Sequence, residues 1–172
     1  MKLRLAVGGD LPALKEMYRA IVAHMKHNGI HIWNDVYPCE FFAEDIESAR
    51  LYIAENELHE IIGAFALVDA EVEADAVQWQ NPHEKALYLY RLGVRVDCLG
   101  QGVGSALLRG AAETAQQKNA AFLRLFVADV NKAAIRFYLK NHFRQAEGVY
   151  EDAINEAETL REFGFEQALS VL

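Results

Sequence analysis

An α/β (α+β) domain built on a mixed, mostly antiparallel sheet flanked by helices is the fold class this sequence predicts, and three observations lead there. From Ala86 onward, apolar strand-like runs alternate with helix-spaced runs in the order strand, helix, strand, helix, strand. Upstream, two short strand-like runs face each other across Asn56-Glu57, as an antiparallel pair requires. A chain of 172 residues with 52% hydrophobic content suits one core, so residues 1–172 are expected to form a single domain.

Leu3 to Ala6 reads as the first strand, ended by Gly8-Gly9-Asp10. Asp10 is expected to cap a helix in which Pro12 needs no N–H partner and Leu14, Met17, Tyr18, Ile21, Val22 and Met25 form the apolar stripe. Asn28-Gly29 stops that helix, and an aromatic-rich linker from Ile30 to Pro38 leads to a short helix spanning Glu40 to Ala49. Leu51 to Ala54 and Glu60 to Val68 are the paired strands, and the acidic stretch Asp69 to Glu84 is expected to be a surface loop. Ala86 to Val96 is a long strand, with Gly93 in its middle the expected place of a bulge, because glycine inside a strand weakens pairing. A helix over Ser105 to Gln117, a strand over Phe122 to Ala128, a helix over Asn131 to Asn141, and closing strands over Phe143 to Tyr150 and Arg161 to Leu169 complete the order.

Composition narrows the function classes. The net charge is −8 and Lys and Arg do not cluster, which argues against a nucleic-acid surface and is compatible with a cationic substrate. No apolar run is long enough to span a bilayer, and Met1 to Leu5 leads into Gly8-Gly9-Asp10 rather than a signal-peptide core, so a cytoplasmic protein without a membrane partner is expected. Cys39 and Cys98 lie 59 residues apart and read as two reduced thiols, and the six histidines do not form H-E-x-x-H, so no metal is expected.

The most telling stretch is Val94 to Ser105, where an apolar strand runs into a three-glycine turn and then straight into a helix. Glycines let such a turn take positive φ and expose backbone N–H groups, while the following helix points its unpaired N–H groups and positive dipole end at the same place. Such a junction suits a phosphate without needing a lysine; the plainer alternative is an ordinary tight strand-to-helix turn. Gly104 is followed by Ser105-Ala106 rather than Lys-Ser/Thr, which excludes a Walker loop, and the spacing G-x-G-x-G is not the dinucleotide fingerprint. Farther on, Asn131 and Tyr138 stand seven residues apart on one helix face, ~10.5 Å along its axis. Asn131 is thereby able to meet a ligand's polar middle while Tyr138 reaches a reacting atom; the plainer alternative is an N-cap and a core aromatic.

Together these two segments resemble the Gcn5-related N-acetyltransferase family. Leu99-Gly100-Gln101-Gly102-Val103-Gly104 is similar to the family's acyl-CoA pyrophosphate loop, Q/R-x-x-G-x-G/A, and Asn131 through Tyr138 to Phe143 is similar to its N-x-x-A-x-x-x-Y segment. The resemblance covers most of the chain and is strongest from Ala86 to Phe143. It implies the acyl-CoA N-acyltransferase fold with a bulged central strand, and acetyl-CoA as co-substrate. It also implies that the backbone of Leu92, Gly93 and Val94 bonds the pantetheine arm and polarises the thioester carbonyl, that the loop Leu99, Gly100, Gln101, Gly102, Val103, Gly104 and Ser105 receives the pyrophosphate, that Asn131 contacts the cofactor's arm, and that Tyr138 protonates the departing CoA thiolate. A phenol is a sensible acid for a thiolate formed beside it. Two positions depart from the pattern: Leu99 stands where the family has Gln or Arg, and His142 where it usually has glycine before Phe143.

The implied reaction is direct transfer of acetyl to a primary amine through a tetrahedral oxyanion held by backbone donors. Because such an amine is mostly protonated at neutral pH, a base must first take its proton, and Glu84, Tyr90 and His31 are candidates. His31, Trp33 and Tyr37 lie where the family builds its acceptor pocket, with aromatic faces suited to a cation; Trp33 and Tyr37 equally suit a role as plain loop anchors. Small-molecule and peptide amines are both open as acceptors. A non-catalytic acyl-CoA-binding or sensor domain and an unrelated nucleotide-binding domain remain as alternatives, and the antiparallel closing strands ending at Phe163-Gly164-Phe165-Glu166 predict a homodimer.

Overall fold

The computed structural model describes residues 1–69, 72–155 and 158–169. In chain order its main elements are β1 (Lys2–Leu5), α1 (Leu11–His27), α2 (Phe42–Glu47), β2 (Leu51–Glu55), β3 (Ile61–Val68), β4 (Val77–Gln78), β5 (Ala86–Val94), α3 (Val103–Gln117), β6 (Phe122–Ala128), α4 (Lys132–Lys140), β7 (Arg144–Gln145), β8 (Glu147–Gly148), β9 (Tyr150–Asn155) and β10 (Glu158–Ala168). The sheet is mixed, mostly antiparallel and flanked by helices, as the fold class requires. Two compact units divide the chain, Met1–Leu67 with Tyr90–Ala111, and Val68–Leu89 with Ala112–Leu172, so β5 passes from the second unit into the first.

In the first unit the hydrogen-bonded order is β1-β2-β3-β5, with β1 antiparallel to β2 and β2 antiparallel to β3. The stripe expected on α1 is the buried one: Leu14, Met17, Tyr18 and Ile21 pack into a core with Phe42, Leu51, Ile53, Ala64 and Ala66, Met25 is half-buried against it, and Val22 is buried as well. Asp10 does not cap α1 with its side chain. Its carboxylate instead accepts from Arg4 Nη1 at 2.7 Å and from the Val7 N–H at 2.8 Å, because a bidentate guanidinium is a stronger partner than a helix N–H. The strand irregularity expected at Gly93 falls two residues earlier. Arg91 takes φ of 53°, whereas Gly93 is not left-handed and is glycine for lack of room: a Cβ there would stand 2.7 Å from the Tyr18 Cζ and hydroxyl oxygen.

In the second unit β5 runs parallel to β6, with Ala86–Tyr88 facing Phe122–Arg124, and β6 is antiparallel to β10, which also pairs with β7 and β9. The expected strand over Phe143 to Tyr150 is broken into short pieces around Gly148, whose left-handed φ of 103° brings it against Val77, so that β8 pairs with β4. The closing hairpin is instead β9 with β10, which begins earlier than the sequence suggested. The expected loop over Asp69 to Glu84 contains a 3-10 turn at Val72–Ala76 and the short β4; Ala70 and Glu71 lie outside the described residues. A buried ion pair joins directly opposed residues of β6 and β10, Arg124 Nε to Glu166 Oε2 at 3.4 Å. Arg124 also lies over Trp79 and donates to the Asn81 carbonyl, and Glu166 accepts from the Gln80 N–H, so this pair fastens residues 79–81 to the sheet.

Candidate active site

After β5 the chain makes a 3-10 turn over Val96–Cys98, and an extended Leu99 leads into Gly100 and Gly102, whose φ values of 75° and 82° are left-handed. A Cβ at either glycine would meet nothing within 4 Å, so backbone direction rather than crowding calls for glycine here. The helix α3 starts at Val103, two residues before the expected Ser105, and its first N–H groups have no carbonyl of the preceding turn to bond. Ala106 begins the ladder, donating to the Gly102 carbonyl at 3.0 Å. The polar side chains beside the turn are engaged with the residues before it: Gln101 Nε2 donates to the Asp97 carbonyl at 2.7 Å and Arg95 Nε to the Asp97 carboxylate at 2.7 Å. That bond from Arg95 holds the Asp97 carboxyl below the usual carboxylate range. Leu99 is exposed. What the turn offers an anion is therefore its main chain and the dipole end of α3.

Just before that turn, Leu92 and Val94 are half-buried and Gly93 is buried. The Tyr18 hydroxyl, fully buried and raised in pKa by that burial, donates to the Arg91 carbonyl at 2.5 Å. The Arg91 guanidinium turns to Asp45 on α2, where Nη2 donates to Oδ1 at 2.9 Å and lies 2.7 Å from Oδ2. Arg50 Nε takes the same carboxylate at 2.6 Å.

In the second unit the expected helix over Asn131 to Asn141 forms as α4, with both named residues as its caps. The Asn131 side chain accepts from the Ala134 N–H at 3.1 Å, so it serves as the N-cap. Tyr138 lies among Phe137, Phe143 and Phe165, at centroid distances of 5.4, 5.7 and 6.2 Å, and burial lifts its hydroxyl above the ordinary phenol range. A phenol so placed keeps its proton to donate throughout neutral and mildly alkaline pH. His142 adopts φ of 66° without glycine, and Phe143 closes the helix by donating to the Tyr138 carbonyl at 3.1 Å.

The acceptor-side candidates fall into two groups. Trp33 stacks on Tyr18 at 5.7 Å and meets Tyr37 at 6.3 Å, and Tyr37 meets Phe41 at 5.8 Å, so these rings anchor the linker to the first unit's core. Tyr37 precedes a cis Pro38, and its N–H bonds the Asn34 side chain. His31 is exposed on the same linker, Tyr90 is half-buried beside the Arg91 guanidinium at 5.3 Å, and Glu84 is exposed in the second unit on a turn closed by its N–H on the Asn81 carbonyl.

Sequence reasoning missed Tyr18, Asp45 and Arg91 as a group. Tyr18 is indistinguishable from a core aromatic in the stripe of α1. Asp45 carried a signal, since it falls three and four residues after Phe42 and Phe41, a charge on an apolar helix face.

The Acetyltransferase (GNAT) family profile matches residues 30–143. No curated protein matches the chain. Among solved structures, a GNAT-family acetyltransferase of Streptococcus agalactiae superposes with a TM-score of 0.83 at 16% identity, covering 98% of this chain and 95% of that one. A Salmonella typhimurium protein described as an acetyltransferase, solved with its cofactor acetyl-CoA, gives 0.71 at 17% identity over 99% and 94%. The ribosomal-protein-S18-alanine N-acetyltransferase of Escherichia coli gives 0.69 at 17% identity over 99% and 95%. Among the described residues no helix is long and apolar enough to cross a membrane.

Proposed function

Because this chain belongs to the GNAT acetyltransferase family, we propose that its residues 1–172 act as one N-acetyltransferase domain that moves the acetyl group of acetyl-CoA to a primary amine by direct attack. The observation that carries the reading is the turn at Gly100 and Gly102, left-handed twice and opening onto the first turn of α3, which suits a diphosphate held by main-chain N–H groups. A relative of the same fold with acetyl-CoA bound supports the choice of co-substrate. Family membership also closes the reading of the chain as an unrelated nucleotide-binding domain.

In the reaction the neutral amine nitrogen attacks the thioester carbonyl carbon and the oxyanion of the tetrahedral intermediate is met by backbone donors of Leu92–Val94. Collapse breaks the C–S bond, and the CoA thiolate takes its proton from the Tyr138 hydroxyl. The proton lost by the amine goes to a base or through water, with Glu84, Tyr90 and His31 the side chains read for that role. Leu99, Gly100, Gln101, Gly102, Val103, Gly104 and Ser105 are the residues read for the diphosphate and Asn131 for the arm, through whichever of its polar atoms the helix cap leaves available. Trp33, Tyr37 and His31 are read for the acceptor, a small-molecule or peptide amine. A cytoplasmic location and a homodimer formed through the closing strands are proposed with it, and sedimentation of the purified chain checks the second of these.

The test is CoA binding measured alongside thiol release from acetyl-CoA against a broad panel of primary amines. Tyr138→Phe is expected to lower the rate with its best amine about 10²–10⁴-fold while CoA still binds. CoA binding with no thiol release on any amine, and no effect of Tyr138→Phe, establishes a non-catalytic acyl-CoA sensor instead.

A further inference from the structure

Residue 91 combines features that stability alone does not favour. Arg91 is a non-glycine residue in left-handed conformation inside a strand, its side chain is 7% exposed, and its Nε is buried with no hydrogen-bond partner among the described residues. It is nonetheless held at both ends. The carbonyl receives the Tyr18 hydroxyl, and the guanidinium is paired with Asp45 and lies over the rings of Phe41 at 5.1 Å and Tyr90 at 5.3 Å. Asp45 is itself fully buried and fixed by Arg50, and Tyr18 is fixed between Trp33 and Phe42, so neither partner is free to follow a change at Arg91. Gly93 completes the arrangement, since only a residue without Cβ leaves space for the Tyr18 ring end to reach the carbonyl two residues back.

The geometry has a consequence for the next three residues. Along an extended strand successive N–H groups point to alternate sides, and one left-handed residue turns the peptide that follows it, resetting the side to which the later donors point. We infer that Tyr18 and Asp45 are positioning residues that clamp Arg91 and thereby aim the backbone donors of Leu92–Val94 at the thioester of bound acetyl-CoA. This rests on the N-acetyltransferase reading, in which those donors polarise the thioester carbonyl, and it adds two side chains from α1 and α2 that touch neither cofactor nor acceptor.

Carbonyl-13C acetyl-CoA, bound to the full chain without any amine, tests it by infrared difference spectroscopy. In the native protein the thioester C=O stretch is expected to shift to lower frequency than in free acetyl-CoA, as donors polarise it. Tyr18→Phe, which keeps the packed ring and removes only the hydroxyl, is expected to lose most of that shift while CoA affinity, set by the diphosphate turn, stays within the scatter of repeat titrations. Asp45→Asn, of equal size, is expected to lose part of the shift by releasing the other end, and it carries the test if Tyr18→Phe fails to fold. A merely structural role would lower the melting temperature of either variant and leave the carbonyl frequency of the folded, cofactor-bound fraction unchanged. That outcome overturns the inference and leaves the acetyltransferase reading intact. No CoA binding, or no carbonyl shift in the native protein, overturns the reading on which it rests.

Discussion

Gly93→Ala is the sharpest probe of how β5 is built, because the residue is not left-handed and the effect of adding one carbon is steric. The new Cβ would stand 2.7 Å from both the Tyr18 Cζ and its hydroxyl oxygen and 3.0 Å from Ile21 Cδ1. Tyr18 is fully buried between Trp33 and Phe42, so its ring end is not a flexible tip that swings aside. Overpacking of this kind costs about 1–3 kcal/mol. If the ring moves far enough to break the bond to the Arg91 carbonyl, about 0.5–1.5 kcal/mol is lost in addition. For a chain of this length each kcal/mol lowers the melting temperature by about 2–4 °C, so a fall of about 2–18 °C is expected, the upper part of that range if the bond to Arg91 breaks. Thermal unfolding followed by circular dichroism measures it. Gly9→Ala is the control: nothing lies within 4 Å of its Cβ position, and relief of unfolded-chain entropy should leave that variant unchanged or slightly raised. A Gly93→Ala protein that melts within about 2 °C of the native one would refute the account of close packing at Tyr18.

Two further outcomes follow from charged pairs. Arg4 holds the Asp10 and Glu55 carboxyls below their ordinary values of 3.8 and 4.5, so its contribution is fully present above those values and is lost as pH falls through the lowered ones. The melting-temperature gap between the native protein and Arg4→Met is accordingly expected to be widest near neutral pH and to close below about pH 4; a gap independent of pH would contradict this. In the second unit, Glu166→Ala strands the buried Arg124 and the Gln80 N–H, at about 3–5 kcal/mol, whereas Glu166→Gln keeps an acceptor for that N–H and is expected to lose less. Equal shifts of the urea midpoint for the two variants would show that the N–H contributes nothing.

Periodicity made the elements legible wherever local pattern and burial coincide. The α1 stripe, β6 over Phe122–Ala128 and α4 between Asn131 and Asn141 follow from local pattern alone: α1 buries its apolar stripe, β6 is an apolar run buried along nearly its whole length, and α4 is capped by Asn131. The glycine turn was legible for a related reason: φ above zero at Gly100 and Gly102 is a demand on the backbone that glycine meets with least strain, and the demand therefore shows in the residue type. The hairpin of β9 with β10 was not, because Tyr150–Asn155 carries acidic and polar residues among few apolar ones, and what makes it a strand is the partner β10, 11 residues long. Asp10 shows the same limit at a single residue. Its place before an apolar stripe satisfies every local rule for a helix cap, yet Arg4 takes its carboxylate.

The misplaced bulge explains why the site was harder to read than the fold. Glycine in a strand commonly marks a kink, but Gly93 is not left-handed; the left-handed residue is an arginine, which local propensity would put almost anywhere else. Such a conformation persists only where the surroundings over-determine it. Here those surroundings come from a tyrosine 73 residues earlier in the chain and an aspartate 46 residues earlier, each of which reads locally as something plainer. Gly93 was informative after all, though as a vacancy for the tyrosine ring rather than as a hinge. The signal in such a strand is thus the coincidence of three unrelated-looking residues: a glycine without a turn, a charge on an apolar helix face, and an aromatic in a core stripe whose hydroxyl finds its partner 73 residues away in the chain.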